Sequence, residues 1–247
     1  MPPTRPAAPW TTPKTVTPPP EADPPGSRRY RAAVPIPRVE ELPVLEQVLS
    51  EARHHGFLGP GEVRDQIARS LAFVSLPIDP PSGLAVDLGT GGGVPGLVLA
   101  LAWPQSEWLF VESNQRRAEW LATALEKLAL GPRAAVVCDR AEMVGRGQWR
   151  YQAELVSARS FAPPAATAEC AAPLLRTGGH LLVADPPDGP GQRWPSAGLA
   201  RLGLTLEASY TVSTPIGPAS LSCMVSSSPC PLRYPRRVGV PEKRPLF

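Results

Sequence analysis

Residues 84–96 read LAVDLGTGGGVPG, in which an apolar run leads into a glycine-rich loop. The run Leu84–Leu88 is predicted to be a buried strand, and the apolar stretch from Gly96 to about Trp103 is predicted to be a helix. Glycines between a strand and a helix permit a tight turn and let the backbone approach a ligand closely. These residues therefore predict a ligand-binding crevice at the carboxyl edge of a sheet.

Further strand-like and helix-like segments alternate after this loop. Apolar runs predict strands at 108–112, 134–137, 154–157 and 180–184, and two closing antiparallel strands at 204–212 and 219–226. Helical periodicity predicts helices at 115–130 and 165–175. Gly178 and Gly179 are predicted to form a turn before the fifth strand. The alternation predicts an α/β fold with a Rossmann-like sheet and helices on both of its faces.

Composition divides the 247-residue chain into four parts. Residues 1–37 hold 12 of the 34 prolines and few apolar residues, so they are predicted to be a disordered Pro-rich tail. Residues 38–82 space their apolar residues as helices do and predict a small helical region. Residues 83–230 form the predicted sheet domain. Residues 231–247 form a C-terminal tail with five basic residues and one acidic residue.

The sequence also excludes some classes of protein. The longest apolar run, Val94–Trp103, is far shorter than the ~18 residues that a membrane span needs, and the N-terminus has no apolar signal segment. We therefore expect a cytoplasmic protein without a membrane partner. The net charge of +3 is too small to indicate a nucleic-acid partner by itself.

No metal site is expected from the spacing of the cysteines and histidines. The four cysteines are far apart without a C-x-x-C pair, so they are predicted to be inert thiols rather than zinc ligands or disulfides. The three histidines are predicted to be surface or core residues, because a histidine without sequence partners rarely indicates a site: they are His54, His55 and His180.

Acidic residues beside the glycine loop indicate which ligand it binds. Asp87 precedes Gly89, Gly91 and Gly93, and a carboxylate there repels a pyrophosphate but suits the amine and sulfonium of S-adenosylmethionine. Glu112 ends the next predicted strand, where an acid can accept hydrogen bonds from both ribose hydroxyls. The pattern favours S-adenosylmethionine. A dinucleotide-type glycine spacing in the same loop keeps NAD as an alternative, and a purely structural turn is another.

Two more charged segments follow predicted strands at the same edge of the sheet. Residues 139–142 follow the third strand, where a side chain can bond the adenine amine or simply favour the start of a helix. Arg159 follows the fourth strand, where methyl donor and acceptor must meet. Its guanidinium can contact a phosphate, a base or the methionine end of the cofactor, and a solvated surface arginine is the alternative. We predict Arg159 to be a catalytic residue.

The stretch VDLGTGGGVPGLVLALAWPQSEWLFVESNQRRAEWL at 86–121 resembles the core of the RsmG family (glucose-inhibited division protein B). Members of this family are bacterial 16S ribosomal RNA guanine-N7 methyltransferases. The segments GFLGPGEVRDQIARSLA, ARSFAPP and YPRRVGVPEKRPL are also similar to segments of the family, so the resemblance covers about residues 53–247. It implies a class I methyltransferase sheet and S-adenosylmethionine as cofactor. It also implies 16S ribosomal RNA or the small ribosomal subunit as partner. We expect the protein to be a monomer.

The resemblance also implies roles for individual residues. The implied cofactor contacts are Gly89, Val94, Ala141, Glu142 and Arg159. Basic positions implied to lie near RNA or cofactor are Arg116 and Arg140. Charge alone adds the tail as a site of phosphate contacts, through Arg233, Arg236, Arg237, Lys243 and Arg244.

The chain departs from the family pattern on the substrate side. The family has His-x-x-Asp-Ser after an arginine, but here Arg69 is followed by Ser-Leu-Ala-Phe-Val at residues 70–74, so the His and the Asp are missing. Leu-Lys-Gly after the fifth strand is replaced by Ala184-Asp185-Pro186. The predicted function is methylation of a guanine N7, which carries a lone pair and no proton and therefore needs no general base. The alternatives are a methyltransferase for another RNA or a small molecule, and a non-catalytic adenosylmethionine- or RNA-binding module.

Overall fold

The computed structural model describes residues 42–247. The predicted disordered tail, 1–37, lies outside the described residues. The helices are α1 (Leu42–His54), α2 (Val63–Val74), α3 (Gly96–Ala102), α4 (Gln115–Lys127), α5 (Ala141–Val144), α6 (Pro164–Ala171), α7 (Ser196–Ala200) and α8 (Val240–Lys243). The strands are β1 (Leu84–Leu88), β2 (Glu107–Val111), β3 (Ala134–Val137), β4 (Ala153–Ala158), β5 (Leu175–Ala184), β6 (Leu204–Thr214) and β7 (Gly217–Ser226).

The strands form one sheet in the order β3-β2-β1-β4-β5-β7-β6. Strands β1 to β5 are parallel, and β7 runs antiparallel to both β5 and β6. The direction of winding reverses between β1 and β4, and open α/β sheets bind ligands beside the carboxyl ends of strands at such a switch point. This topology confirms the predicted α/β fold and places the glycine loop after β1 at that point.

Two apolar layers cover the two faces of the sheet. One layer joins α1, α2, α3 and α4 to alternate residues of the strands, including Ala85, Trp108 and Phe110. The other joins α5, α6 and α7 to the intervening residues, including Val86 and Leu109. Because neighbouring residues of a parallel strand face opposite sides, a strand that is covered on both sides has apolar residues in succession, as at 84–86 in β1 and 108–111 in β2.

The region before the sheet forms two helices whose apolar positions recur at helical spacing. In α1 the fully buried residues include Leu45 and Leu49, and in α2 they include Ile67 and Phe73. The turn between the helices reaches the glycine loop, since a Cβ atom on Gly92 would lie 2.7 Å from the carbonyl oxygen of Phe57. The helical region therefore forms one wall beside the crevice after β1.

The turn predicted at Gly178 and Gly179 is wrong, because both residues belong to the continuous strand β5. Gly178 has a φ of +81°, and a Cβ atom on Gly179 would lie 2.8 Å from the carbonyl oxygen of Ala153. The pairing of β4 with β5 shifts register at this point. Glycine serves here for an irregularity within a strand rather than for a reversal of the chain.

The C-terminal residues pack back onto the sheet domain. Arg236 forms a forked ion pair with Glu169, whose side chain is fully buried in α6. The Gly239 amide donates to Glu142 Oε1 at 2.8 Å, and the ring of Phe247 lies against Gly198 of α7. The basic tail is thus a packed segment in the structure. None of the helices within residues 42–247 is long and apolar enough to cross a membrane.

Candidate active site

The loop after β1 has a backbone shape that requires glycine. Gly89, Gly91 and Gly93 have φ values of +64°, +57° and +97°, in the left-handed region that side chains disfavour. The Gly89 amide donates to the carbonyl oxygen of Val111 at 2.8 Å, so the loop is fixed to the end of β2. Little crowds Gly91, since a Cβ atom there would find its nearest neighbour at 3.7 Å. The loop therefore forms a cradle between β1 and β2.

Asp87 lies beneath this loop and is almost completely buried. Its Oδ1 accepts a hydrogen bond of 2.6 Å from Ser157 Oγ of β4, while its Oδ2 has no hydrogen-bond partner among the described residues. Burial raises the pKa of Asp87 to about 7, although the hydroxyls of Ser157 and Thr90 act in the opposite direction. Asp87 can therefore change charge near neutral pH when a cation arrives nearby.

Glu112 follows β2 and is held by the same loop. Its Oε2 accepts from the Gly91 amide at 2.9 Å, and its Oε1 accepts from the Asn114 amide at 2.8 Å. Two backbone hydrogen bonds fix the carboxylate while leaving lone pairs for two further donors. The structure thus brings Asp87, Glu112 and the three predicted glycines together around one crevice.

The predicted contacts after β3 lie at the start of α5. Ala141 is buried, and the Glu142 carboxylate accepts from the Gly239 amide and lies 3.5 Å from Arg140 Nε. The carboxylate therefore holds the C-terminal segment. Val94 is half-buried in the glycine loop beside Gly93. The roles predicted for these residues toward the cofactor stay predictions.

Arg159 extends from the end of β4 toward α2. Its guanidinium donates to Gln66 Oε1, and its Nη1 lies 3.5 Å from Ser70 Oγ. Burial lowers the pKa of Arg159, the nearby charge of Arg69 lowers it further, and Asp87 acts in the opposite direction. The arginine is thus largely buried between the acid beneath the loop and a second cation on α2.

The sequence did not identify Gln66 and Ser70 as partners of Arg159. Counted from Arg69, the missing His and Asp of the family motif fall at Ser70 and Phe73. Gln66 and Ser70 face Arg159 across a separation of about 90 positions in the chain. The sequence did contain an indication of these partners, because Gln66 and Ser70 are polar residues on the buried side of an amphipathic helix.

A cavity of about 480 Å³ opens beside Arg159, between α2 and the ends of β4, β5 and β7. Arg69, Arg159 and Arg193 all line it, and Phe161 lies between it and Gly89. The volume falls within the roughly 300–1,000 Å³ of small-ligand sites. The cavity therefore offers a basic compartment next to the acidic cradle.

Asp185 is the carboxylate that replaces a family lysine, and it also lines this cavity. Its Oδ1 accepts from Trp194 Nε1 at 3.1 Å, and its Oδ2 accepts from Ser222 Oγ at 2.5 Å. Arg193 Nε lies 3.9 Å from Oδ1. Asp185 is thus held within the protein, and Arg193 places a cation beside it.

The residues predicted to bind RNA lie at several places on the surface. Arg116 is exposed at the start of α4, and Arg140 precedes α5. The exposed cations of the tail are Arg233, Arg237, Lys243 and Arg244. Arg236 differs from these four, because its Nε and Nη2 both donate to Glu169. RNA contact by any of these residues stays a prediction.

The sheet order and the glycine cradle between two acids define a methyltransferase of the Rossmann-like class. Solved structures share this fold at low sequence identity. The cofactor-bound Rv0187 from MTB matches with a TM-score of 0.55 and 16% identity, over 78% of this chain and 98% of that one. The O-methyltransferase from Bacillus cereus in complex with SAH matches with a TM-score of 0.53 and 12% identity, over 74% and 90%.

The chain belongs to the family of ribosomal RNA small subunit methyltransferase G. The GidB family model, described as rRNA small subunit methyltransferase G, matches residues 63–185. The protein of that name from Syntrophomonas wolfei is 31% identical over 217 residues, which are 81% of this chain and 96% of the relative. The one from Chloroflexus aggregans is 38% identical over 168 residues, or 65% and 68%. The resemblance seen in the sequence is confirmed.

The residues at the cradle fit S-adenosylmethionine, the cofactor of this class. The unpartnered Asp87 Oδ2 can face a positive charge, the open backbone at Gly91 can lie close to the ligand, and Glu112 can accept from hydroxyl groups. A pyrophosphate would instead meet the carboxylate of Asp87 beneath the loop. The cofactor prediction is therefore confirmed, and NAD and the purely structural turn are dropped.

Proposed function

We propose that the protein transfers a methyl group from S-adenosylmethionine to N7 of a guanine in 16S ribosomal RNA. The observation that carries this proposal is the composition of the cavity beside the cradle. Within residues 42–247, the residues that line it include three arginines but no histidine, lysine, cysteine or tyrosine, and the carboxylate of Asp185 is already bonded twice. The cavity thus offers cations for a nucleotide but lacks an available general base.

The absence of a base in the cavity favours N7 over other acceptors. A hydroxyl must lose its proton as it is methylated, so an O-methyltransferase needs a general base or a metal. Guanine N7 holds a lone pair and no proton, so the reaction depends on placing the nucleophile in line and excluding water. Bound S-adenosylmethionine supplies an electrophilic methyl group. The chain then has to hold and orient the base.

Arg159 and Phe161 are the residues we assign to orientation. Arg159 is fixed by Gln66 and Ser70, so its guanidinium has a defined direction at the cavity wall. Arginine donors match the O6 edge of guanine and phosphate oxygens in geometry. Phe161 packs against Gly89 on one side and lines the cavity on the other, where an aromatic ring can stack on an unpaired base.

The named relatives support the choice of RNA, because their name specifies the small subunit of the ribosome. Exposed cations at Arg116, Arg140 and the tail supply sites for phosphate contacts outside the cavity. On this proposal the enzyme works in the cytoplasm as a monomer. Residues 42–82 with the sheet domain form the catalytic body, and residues 231–247 are a packed extension of it.

The test measures methyl transfer from labelled S-adenosylmethionine to small ribosomal subunits, naked 16S RNA and naked 23S RNA. We expect incorporation into 16S RNA in at least one of the first two substrates. Borohydride reduction followed by aniline cleavage should cut the product at one guanine, because this chemistry cuts at N7-methylated guanine. Transfer to 23S RNA alone would contradict the proposal that 16S RNA is the substrate. A methylated product that aniline does not cleave would contradict the proposal that N7 is the methylated atom.

A result without methyl transfer would separate an enzyme from a protein that only binds the cofactor. If the full-length protein binds S-adenosylmethionine by calorimetry but methylates none of the three RNAs, the enzyme proposal fails and a binding module takes its place. Transfer that persists after Arg159→Ala at the wild-type rate would instead leave the enzyme in place and remove the cavity from the mechanism.

A further inference from the structure

His180, Glu207 and Cys223 come from β5, β6 and β7, and their side chains meet on one face of the sheet. His180 Nε2 lies 3.2 Å from Glu207 Oε2, and Cys223 Sγ lies 3.5 Å from the same oxygen. One ligand atom from each residue lies within 4.8 Å of the other two. In the described part of the chain, residues 42–247, this is the one group of three His, Cys, Asp or Glu residues with such spacing.

A β-bulge brings Glu207 into this group. Leu206 pairs with Met224 and Ala208 pairs with Cys223, so Glu207 is an extra residue in β6 with no partner of its own. In such a bulge the extra residue turns toward the same face as its neighbour. In a regular strand the side chain of Glu207 would point away from that of Ala208. The irregularity therefore places a carboxylate beside Cys223.

The pairing of β5 with β7 brings His180 close to Cys223 and Glu207. Leu182 pairs directly with Cys223 across β5 and β7, and His180 lies two residues before Leu182 on the same face. Residues that are diagonal neighbours across an antiparallel pair are within reach of long side chains. Three adjacent strands thus supply one nitrogen, one oxygen and one sulfur to a common point.

The spacing of these atoms matches the edges of a zinc tetrahedron. Zinc binds nitrogen and oxygen at about 2.0–2.1 Å and sulfur at about 2.3 Å, which places tetrahedral N and O ligands about 3.3 Å apart and O and S ligands about 3.5 Å apart. The observed separations are 3.2 Å for His180 and Glu207 and 3.5 Å for Glu207 and Cys223. Two of the three ligand pairs therefore match a zinc tetrahedron, and the third pair, His180 and Cys223, lies within 4.8 Å.

We propose that His180 Nε2, the Glu207 carboxylate and Cys223 Sγ bind one Zn²⁺, with water as the fourth ligand. The mixed nitrogen, oxygen and sulfur set suits zinc, whereas magnesium and calcium prefer oxygen alone. Cys223 is buried, but 41% of the Glu207 side chain is exposed, so an ion can enter from that side. Burial and the Glu207 carboxylate raise the pKa of the Cys223 thiol, so binding displaces its proton to solvent.

The ion would have a structural role, because it would join the edge strand β6 to β7 and β5. Strand β4 lies between β1, which leads into the cradle, and β5, the nearest strand of this cluster. The cluster also has no member among the residues that line the cavity. The inference is therefore independent of the proposed function, and removal of zinc should leave the affinity for S-adenosylmethionine unchanged.

The test uses the full-length chain without an affinity tag, stripped with a chelator and titrated with zinc chloride. We expect elemental analysis after gel filtration to find one zinc per chain at micromolar free zinc, together with a higher melting temperature. Glu207→Gln and His180→Gln should each weaken zinc binding at least tenfold. Cobalt in place of zinc should give the absorption of a cobalt–thiolate bond, which Cys223→Ser should remove.

Two variants serve as controls for adventitious binding. Cys138 is the exposed cysteine, and His55 is an exposed histidine outside the cluster. Cys138→Ser and His55→Gln should bind zinc as the wild type does. Wild-type protein that retains no zinc would overturn the proposal, as would zinc lost in Cys138→Ser but kept in Glu207→Gln. Glu207→Gln and His180→Gln decide the question even if Cys223→Ser fails to fold, since neither residue is fully buried.

Discussion

The cradle after β1 and the cavity after β4 lie at the same edge of the sheet but carry opposite charge. The cradle combines positive-φ glycines with Asp87 and Glu112, whereas the cavity is lined by Arg69, Arg159 and Arg193. One reactant is a sulfonium cation, and the proposed other is part of a polyanion. On the proposed function, the acidic cradle would receive the sulfonium cation and the basic cavity would receive the polyanion.

The two regions also differ in how their side chains are fixed. In the cradle, backbone amides hold Glu112, so a short stretch of sequence determines the geometry. In the cavity, Arg159 is held by side chains of α2, and Asp185 is held by Trp194 and Ser222. Substitutions in the first region should act on cofactor binding alone. Substitutions in the second should act on methyl transfer.

The largest expected effect is the loss of cofactor binding on Gly91→Val. A branched side chain would force φ out of +57° and would fill the open backbone of the cradle. We expect calorimetry to show micromolar binding for the wild type and at least a 100-fold loss for the variant. Gly131→Val is the matched control, because Gly131 lies in a turn with no atom within 4 Å of an added Cβ. Undiminished binding by Gly91→Val would remove the cradle from the site.

The second prediction concerns Arg159 and tests whether the cavity serves the reaction. Arg159→Ala should slow single-turnover methyl transfer by about 2–4 kcal/mol, or roughly 30- to 900-fold, because a buried charge-assisted contact is lost. Arg159→Lys should recover part of the rate, since an ammonium cannot reproduce a fork of donors. Cofactor affinity should change much less than the rate. A rate that changes less than twofold in both variants would show that Arg159 is a structural arginine.

The third prediction separates two kinds of arginine in the C-terminal segment. Arg236→Ala leaves the fully buried Glu169 carboxylate without its partner and should lower the free energy of unfolding by about 2–4 kcal/mol. This loss of stability is slightly smaller than the usual loss when one partner of a fully buried ion pair is removed, because 27% of the Arg236 side chain is exposed. Arg237→Ala is the control at an exposed neighbour and should stay within about 0.5 kcal/mol of the wild type. Urea unfolding measures both.

The exposed cations of the tail should affect RNA binding but not the free energy of unfolding, which is the reverse of what we expect for Arg236. Changing Arg233, Arg237, Lys243 and Arg244 together to glutamine should leave unfolding unchanged but reduce the slope of log K against log salt for RNA by about 3. Four lost phosphate contacts at roughly 0.7–0.9 ions each give that number. A slope equal to that of the wild type would show that the tail only packs against the protein and does not contact RNA.

The cradle was predictable from the sequence because its residues are close together in the chain. Asp87, the glycines and Glu112 lie within 26 positions, and strand and loop patterns place them at one sheet edge. Only some of the residues around the cavity could be predicted from the sequence. Arg159 was found from its position after a strand, but its partners on α2 depend on how a separate helix packs, which no local pattern contains.

Two further features lay beyond sequence patterns for physical reasons. The glycine pair at 178–179 has the composition of a turn, but tertiary pairing with β4 keeps it within a strand. The group of His180, Glu207 and Cys223 depends on the register of three strands and on a bulge. Spacing in the chain could not indicate it, because sheet neighbours are set by pairing rather than by distance in sequence.

The smallest expected effect is a pH dependence of cofactor affinity that originates in the cradle. Burial raises the pKa of Asp87 to about 7, so in the free protein the neutral acid is favoured below that pH. Asp87 therefore contributes a stability to the folded protein that is complete below the ordinary pKa of an aspartate and is lost as the pH rises through 7. A bound cation favours the ionised form instead, so the affinity for S-adenosylmethionine should rise between pH 6 and pH 8.

The expected size of this rise is up to about tenfold, since an acid with a pKa near 7 must be deprotonated before it can pair with the cofactor. Asp87→Asn removes the titration, so its affinity should be weaker above pH 7 and should lack this rise. Any titration of the cofactor itself is common to both proteins and cancels in the difference between them. Isothermal titration calorimetry at matched ionic strength measures the two profiles. Parallel profiles for wild type and Asp87→Asn would show that Asp87 keeps one charge state throughout and that the acid beneath the loop does not sense the cofactor's charge.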